Sequence, residues 1–234
     1  MKQIITLGGG GFSMEPDNLL LDQYILEQCP KPRPKICFLP TASGDAEGYI
    51  DRFFASFAKL DCEPSVLSLF KPPYEDLEAF LLDKDIVYVG GGNTKNLLVL
   101  WREWGLDVLL RKAYEKGVVL AGLSAGSLCW FEEGVTDSYG DVYQVISCLG
   151  FLKGSHCPHY DGAAGAKKAY RTFVESGEIM EGMAVDDGAG LHFMNGSLHK
   201  AISSRPAAKA YYVKAAKENV KEVALNMHYL GGKA

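Results

Sequence analysis

Five short apolar runs alternate with longer amphipathic segments along the first 130 residues of the chain. Most of the runs are continuously apolar, which is typical of strands that helices cover on both faces. The predicted strands are 3–9, 35–40, 65–70, 85–91 and 118–123, and the predicted helices are 17–28, 46–60, 75–82 and 94–116, the last with a break near Gly105. This alternation predicts a mostly parallel, doubly wound sheet with helices on both faces, a three-layer α/β/α fold.

The pattern changes after residue 140, where short strands surround one predicted helix at 163–176. The strand candidates are 155–159, 182–186, 189–194, 197–203, 208–214 and 221–230. Asn195-Gly196 predicts a tight hairpin turn. No linker rich in proline, glycine or serine separates the two halves, so we expect one domain over residues 1–234 with extra short strands in its C-terminal third.

Composition excludes several classes of protein. A net charge of −5 argues against a nucleic-acid-binding protein, which usually carries a basic face. No stretch of about 18 apolar residues predicts a membrane span, and the apolar run at the N-terminus is too short for a signal peptide. Six cysteines form no C-x-x-C pair, which favours reduced thiols and a cytoplasmic location.

Three predicted strands end in sequences rich in glycine and small polar residues: LGGGGFS, LPTASGD and VGGGNT. Ligands bind at the carboxyl ends of strands in sheets of this kind, so we expect the three ends to share a site. The first is not a dinucleotide fingerprint, because Ser13 replaces the last required glycine. In the third, Gly91 and Gly92 are candidates to donate N–H groups to an oxyanion, with Thr94 capping the next helix.

Gly122-Leu123-Ser124-Ala125-Gly126 matches the G-x-S-x-G nucleophile motif. A predicted strand precedes it and an apolar pattern follows, which is the strand–turn–helix setting that the motif requires. The N–H of Ala125 would then stabilise a developing oxyanion. The alternative is a serine that merely caps a helix in a tight crossover.

A serine nucleophile needs a base, and all five histidines lie downstream of Ser124. His159 is the best candidate, because it ends a predicted strand before a turn and a helix. His156 lies within the same predicted strand and points to the opposite face. Together with Cys157 these histidines make a weak metal motif, so no metal is expected. Candidates for the carboxylate that orients the imidazole are Asp137, Asp161, Asp186 and Asp187.

Five motifs in fixed order give the chain a resemblance to a known family. They are VYVGGGNTKNLL, GLSAGS, the Thr-Asp pair at 136–137, PHYD and AVDDGAGL. The chain resembles the dipeptidase E family of serine peptidases, whose relatives include the cyanophycinases. The resemblance implies a fold like that of the class I glutamine amidotransferases, with serine in place of their elbow cysteine.

The resemblance also implies roles for single residues. Ser124 matches the nucleophile, His159 the base, and Asp187 a third acidic position at which the family usually carries a glutamate. The remaining matches are Gly91, Gly92 and Ala125 in the oxyanion region, Asn93 at the pocket, and Asp137 near the site. The implied activity is that of a serine exopeptidase on short peptides, with an acidic N-terminal residue preferred and no cofactor.

The substrate side chain and the assembly are less constrained by the sequence. Lys167, Lys168 and Arg171 follow His159 on a predicted helix. Lys167 and Arg171 share a face, and either is a candidate to bind a substrate carboxylate, arginine in bidentate fashion. The alternative is an ordinary solvated helix face. We expect a small peptide as the partner, with no nucleic acid and no membrane. The sequence is also compatible with a homodimer.

Two rival functions stay open at this point. An α/β-hydrolase esterase would place the acid before the base, an order that Asp187 and His228 satisfy. The second rival function is that of an amidotransferase-like binding domain with an inactive site, because Asp187 is shorter than the expected glutamate.

Overall fold

The computed structural model describes residues 1–71, 76–140, 142–162, 164–216 and 219–232. The strands are β1 (Gln3–Leu7), β2 (Lys35–Leu39), β3 (Glu63–Val66), β4 (Ile86–Val89), β5 (Val119–Leu123), β6 (Phe131–Thr136), β7 (Gln144–Ser147), β8 (Leu152–Cys157), β9 (Gly182–Val185), β10 (Ala189–Met194), β11 (Ser197–Ser203), β12 (Ala210–Ala216), β13 (Asn219–Ala224) and β14 (Met227–Tyr229). The helices are α1 (Gly11–Met14), α2 (Leu20–Glu27), α3 (Glu47–Phe57), α4 (Leu77–Leu82), α5 (Thr94–Glu103), α6 (Leu106–Glu115), α7 (Ala125–Leu128) and α8 (Ala164–Ser176), with a 3₁₀ turn at Thr41–Ser43.

The larger sheet has eight strands in the order β14-β11-β10-β1-β5-β4-β2-β3. The five strands from β1 to β3 in this order run parallel to one another. β10 continues the sheet antiparallel to β1. This topology confirms the predicted α/β class, and it places the carboxyl ends of β1, β5 and β4 side by side.

Burial on both faces explains the continuous apolar runs. All residues of β4 and β5 are buried, as are all but the first residue of β1 and β2. Neighbouring residues of β1 point to opposite faces, so Ile4 and Ile5 enter different core clusters. One cluster contains Trp101 and Trp130, and the other is an aromatic group around Phe12.

A second sheet of six strands has the order β13-β12-β9-β8-β6-β7. Its strands β6, β8 and β9 are parallel, and β7, β12 and β13 pair antiparallel at the two sides. Phe131 and Leu152 of this sheet lie in the same core cluster as Leu191 of the larger sheet. The shared core supports the prediction of one domain over residues 1–234, which stays a prediction.

Several predicted boundaries differ from the structure. The extra strands begin at β6, well before the C-terminal third, because β6 and β7 carry exposed residues and no apolar run marks them. The predicted strand 221–230 is two strands in different sheets, and the strand predicted at 65–70 ends at Val66. The predicted helices 75–82 and 163–176 begin at residues outside the described ranges.

Two predicted turns are confirmed. Gly105 has a φ of 64° and separates α5 from α6, because a left-handed residue cannot continue a helix. Asn195 and Gly196 have φ of 51° and 82° and join β10 to β11 as a hairpin. Within the described ranges, no helix has both the length and the apolar character that crossing a membrane requires.

Candidate active site

The turn between β5 and α7 places Ser124 at the edge of the sheet in a strained conformation. Its φ of 54° and ψ of −120° are unusual for a residue with a side chain. A Cβ on Gly122 would clash with the carbonyl oxygen of Gly126, and a Cβ on Gly126 would clash with that of Val89. Both glycines of the motif are therefore required by the close approach of the backbone.

His159 follows the end of β8 and also has a positive φ, 51°. Its Nδ1 lies 2.5 Å from Oδ1 of Asp187. Since an ionised carboxylate only accepts hydrogen bonds, this contact puts the proton of the neutral imidazole on Nδ1. The lone pair is then on Nε2, which is the form that a general base needs.

Asp187 lies in the turn between β9 and β10, and its side chain is 14% exposed. Its backbone N–H donates to Asp161 Oδ1 at 2.8 Å. The aspartate is one methylene shorter than the glutamate that the resemblance led us to expect, yet it reaches the imidazole. Of the four carboxylates that the sequence left open, Asp187 is the one hydrogen-bonded to His159.

Gly9, after the end of β1, leaves the space in which His159 and Asp187 meet. A Cβ on Gly9 would overlap Asp187 Oδ1 and would lie 2.8 Å from His159 Cε1. Gly9 O also accepts the N–H of Gly188 at 3.0 Å, which ties the end of β1 to the turn that carries Asp187. The sequence alone indicates no role for this glycine run beyond a shared strand end, because its partners lie far along the chain.

Asp186 and Asp161 are turned to other partners. Asp186 Oδ2 accepts the backbone N–H of Lys209 at 3.0 Å, and burial raises the pKa of the Asp186 carboxyl. Asp161 receives the N–H of Asp187. Neighbouring residues in extended backbone point in opposite directions, so only one of the Asp186-Asp187 pair faces the imidazole.

The predicted oxyanion residues fall into two groups. The N–H of Gly91 donates to the Tyr49 hydroxyl at 3.1 Å, so the structure does not leave it for an oxyanion. Gly92 and Ala125 line the cavity beside Ser124, and neither N–H donates to another residue within the described ranges. Gly92 has a φ of 139°, and a Cβ there would clash with Ala42 O.

Asn93 and Thr94 hold the loop that follows β6. Asn93 is the N-cap of α5 and accepts the N–H of Asn96 at 2.8 Å, so the predicted capping role of Thr94 was wrong. Asn93 Nδ2 donates to Ser138 O at 3.1 Å, and the N–H of Thr94 donates to Ser138 Oγ at 2.8 Å. The Asn93 side chain is thus occupied by the cap and the loop, away from the pocket where we expected it.

Asp137 lies in this loop and lines the same cavity as Ser124 and His159. Its side chain is exposed and makes no hydrogen bond to the imidazole, so it does not orient the base. The cavity has a volume of about 270 Å³. Such a volume lies just below the roughly 300–1,000 Å³ that is typical of ligand sites, and it suits a small substrate.

The cationic face of α8 is directed elsewhere. Arg171 Nη1 lies 2.5 Å from Glu222 Oε1, and Lys167 Nζ lies 3.2 Å from Glu222 Oε2. Both residues border a separate depression with Tyr160 and Asp186, outside the cavity of Ser124. The suggestion that Arg171 binds a substrate carboxylate is therefore not supported by its position.

His156 is fully buried beneath the nucleophile turn. Its ring stacks on Phe131, Nδ1 bonds to Met183 O at 3.1 Å, and Nε2 lies 3.0 Å from Ser127 Oγ. Burial lowers the pKa of His156 to about 3, so the ring is neutral. This position confirms that His156 faces away from the reacting groups and supports the turn through Ser127, which also contacts Ser124 O.

His228 does not fit the base of an esterase. It lies on the exposed edge strand β14, and three strands separate β14 from β5 in the sheet. With neighbouring strands about 4.8 Å apart, it is roughly 19 Å from the strand that carries Ser124. The order Ser124, Asp187, His228 is therefore excluded as a triad.

Among the described residues, no three His, Cys, Asp or Glu side chains are arranged to hold a metal ion. His156 and Cys157 are successive residues of β8 and point to opposite faces, so they do not form a site together with His159. Cys157 is buried in the core cluster under α8.

Comparison with known proteins shows which family the chain belongs to. The model of peptidase family S51 matches residues 4–201. The chain belongs to peptidase family S51. The resemblance to the dipeptidase E family is thereby confirmed at the family level, and the chain is a serine-type peptidase by family.

Individual relatives of this S51 peptidase carry similar names. The chain is 59% identical to "Uncharacterized peptidase YgaJ" of Bacillus subtilis (strain 168), over 99% of this chain and 100% of that protein. It superposes on a peptidase from an acI-B1 Actinobacterium with a TM-score of 0.66 and 17% identity, over 96% of this chain and 97% of the other. A "Putative Peptidase E Protein" from Listeria monocytogenes EGD-e gives a TM-score of 0.60 and 16% identity, over 97% and 100% of the two chains. The two solved structures show the same fold.

Proposed function

We propose that this S51 peptidase hydrolyses short peptides through an acyl-enzyme on Ser124. The observation that carries the proposal is the 2.5 Å contact between His159 Nδ1 and Asp187 Oδ1, made beside the cavity that Ser124 and His159 both line. Nucleophile, base and orienting acid are the three parts that serine acyl transfer needs.

The proposed reaction has two steps. His159 Nε2 takes the hydroxyl proton while Ser124 Oγ bonds to the peptide carbonyl carbon, and the N–H groups of Gly92 and Ala125 stabilise the oxyanion. The C–N bond then breaks, and the imidazolium gives its proton to the leaving amine. Water next adds to the ester carbonyl, with His159 taking its proton and returning one to Ser124 Oγ as the free acid leaves.

The cavity favours cleavage near a peptide end over cleavage within a folded protein. Its volume of about 270 Å³ leaves little space for a chain that continues in both directions. An acidic N-terminal residue, which the resemblance implied, would need a cation in this cavity. Within the described ranges no lysine or arginine lines it, so the geometry gives that preference no support.

Reaction with a fluorophosphonate probe tests the nucleophile. We expect labelling of the wild type at Ser124, and loss of both labelling and dipeptide hydrolysis in Ser124→Ala, with a rate reduction of about 10⁴-fold or more. Ser176→Ala is the matched control, because Ser176 is exposed at the end of α8. Hydrolysis that persists in Ser124→Ala would overturn the proposal, and an unlabelled wild type would favour the inactive binding domain.

A cytoplasmic location, the lack of a cofactor and a homodimer remain predictions attached to this proposal. All six cysteines are unpaired thiols, which supports a reducing compartment. Dialysis against a chelator should leave hydrolysis unchanged. Light scattering on the purified chain measures the assembly directly.

A further inference from the structure

We propose that Asp137 binds the α-ammonium group of the substrate and that the cavity beside it accepts an uncharged N-terminal side chain. The enzyme would then be an aminopeptidase or dipeptidase for peptides with a free N-terminus and a neutral first residue. This inference rests on the proposed function, since it names the substrate class of the same site.

Asp137 is a charged side chain of the cavity. It follows the last residue of β6, is exposed, and lines the cavity together with Ser124 and His159. In the part of the chain that the structure describes, its carboxylate makes no hydrogen bond or ion pair. A carboxylate in this state is well suited to an ammonium group, the one cation that every unblocked peptide carries.

The loop around Asp137 is fixed from both sides. The hydroxyls of Thr136 and Ser138 lie 2.8 Å apart, and the N–H of Ser138 donates to Thr136 Oγ1 at 3.2 Å. Ser138 is also bonded to Asn93 and Thr94 at the start of α5, at 3.1 and 2.8 Å. These bonds hold the backbone around Asp137 before substrate arrives, so that binding has to order only the side chain and loses less entropy.

The wall next to Asp137 is apolar or neutral. Its side chains are those of Leu128, Val135, Tyr143, Pro158 and Ala166. An acidic first residue would place a second carboxylate in this neutral wall beside Asp137, where burial and like charge both disfavour it. The two candidate cations of α8, Lys167 and Arg171, are already paired with Glu222 and do not offset this charge.

This arrangement also sets where the chain is cut. The α-ammonium and the first carbonyl belong to the same residue, so a peptide held at Asp137 presents its first peptide bond to Ser124. N-acetylation removes the charge that Asp137 recognises. We therefore expect acetylated peptides to be poor substrates.

The experiment compares three dipeptides, Ala-Leu, Asp-Leu and N-acetyl-Ala-Leu, by the rate at which leucine is released. The wild type should cleave Ala-Leu with a kcat/KM at least tenfold above either of the others. Asp137→Asn should lose at least tenfold on Ala-Leu, mainly through KM, and much less on the acetylated peptide. Glu103→Gln is the control, because it removes one exposed carboxylate of α5 outside the cavity.

Three results would overturn the inference. One is a preference of the wild type for Asp-Leu over Ala-Leu. The second is an equal loss by Asp137→Asn on free and acetylated peptides, which is what a merely structural role would produce. The third is labelling of Ser124 by a fluorophosphonate without cleavage of any of the three peptides. That result would overturn the substrate class while still identifying Ser124 as a nucleophile. If labelling and cleavage are both absent, the proposed function fails as well.

Discussion

Replacing Gly9 by alanine should separate His159 from Asp187 while leaving Ser124 in place. The new Cβ would overlap Asp187 Oδ1 and would lie 2.8 Å from His159 Cε1, inside the 3.0 Å limit that Cβ contacts respect. The carboxylate would have to withdraw by about 1 Å to reach an ordinary van der Waals separation. A contact of 2.5 Å would then lengthen past the range of a strong charged hydrogen bond.

The expected cost follows from this displacement. A misplacement of about 1 Å in a reacting group costs about 10²-fold in rate, and complete loss of the orienting acid costs about 10⁴-fold. We therefore expect kcat/KM of Gly9→Ala to fall between these limits, with KM little changed because Gly9 does not line the cavity. The assay is dipeptide hydrolysis, run beside thermal melting to show that the variant is folded.

Gly48→Ala is the matched control for this change. Gly48 is exposed on α3, and a Cβ there meets nothing within 4 Å. The control should keep full activity and gain up to about 1 kcal/mol in stability from the better helix propensity of alanine. A folded Gly9→Ala enzyme with kcat/KM within about threefold of the wild type would refute the reasoning, since the carboxylate would then be dispensable.

Two further changes test the electrostatics of the site and of the buried carboxyl group of Asp22. Asp187→Asn keeps the shape of the side chain but removes the charge that fixes the Nδ1 proton of His159. We therefore expect kcat to fall about 10³- to 10⁴-fold and fluorophosphonate labelling to slow in parallel. A loss of less than tenfold would contradict the triad. Asp22 accepts the N–H of Phe12 at 2.8 Å, and burial raises the pKa of its carboxyl to about 7. Because the unfolded chain releases this proton near pH 3.9, the free energy of unfolding should decrease between pH 4 and 7, by up to about 4 kcal/mol from this group. Asp22→Asn should flatten that decrease in urea titrations at pH 5 and 8, and an unchanged slope would contradict the assignment.

Local sequence was sufficient for the nucleophile turn. The strand before Ser124 is recognisable by its apolar run, and the spacing of Gly122 and Gly126 follows from the backbone contacts that the turn makes. The class of fold followed from the same alternation of strands and helices. Strands β6 and β7 were missed because their residues are partly exposed and give no periodic signal.

The orienting acid depended on contacts between distant segments. The residues alone left four aspartates open and only the family resemblance pointed to Asp187, which the structure joins to the imidazole. That choice needs the turn after β9, the end of β8 and the close approach of Gly9 at the end of β1. The same holds for Gly91, whose N–H is taken by Tyr49, and for Arg171, whose charge is taken by Glu222.

The sequence by itself therefore determined the fold class, the strand–turn–helix at Ser124 and the position of His159 at a strand end. These features depend on burial periodicity and on backbone sterics between near neighbours, which a sequence records directly. Only the tertiary structure decided that Asp187 faces His159, that Asp137 has no partner among the described residues and that the cations of α8 are engaged elsewhere. Side-chain partners are set by distances between segments remote in the chain, and the pattern within each segment does not contain them.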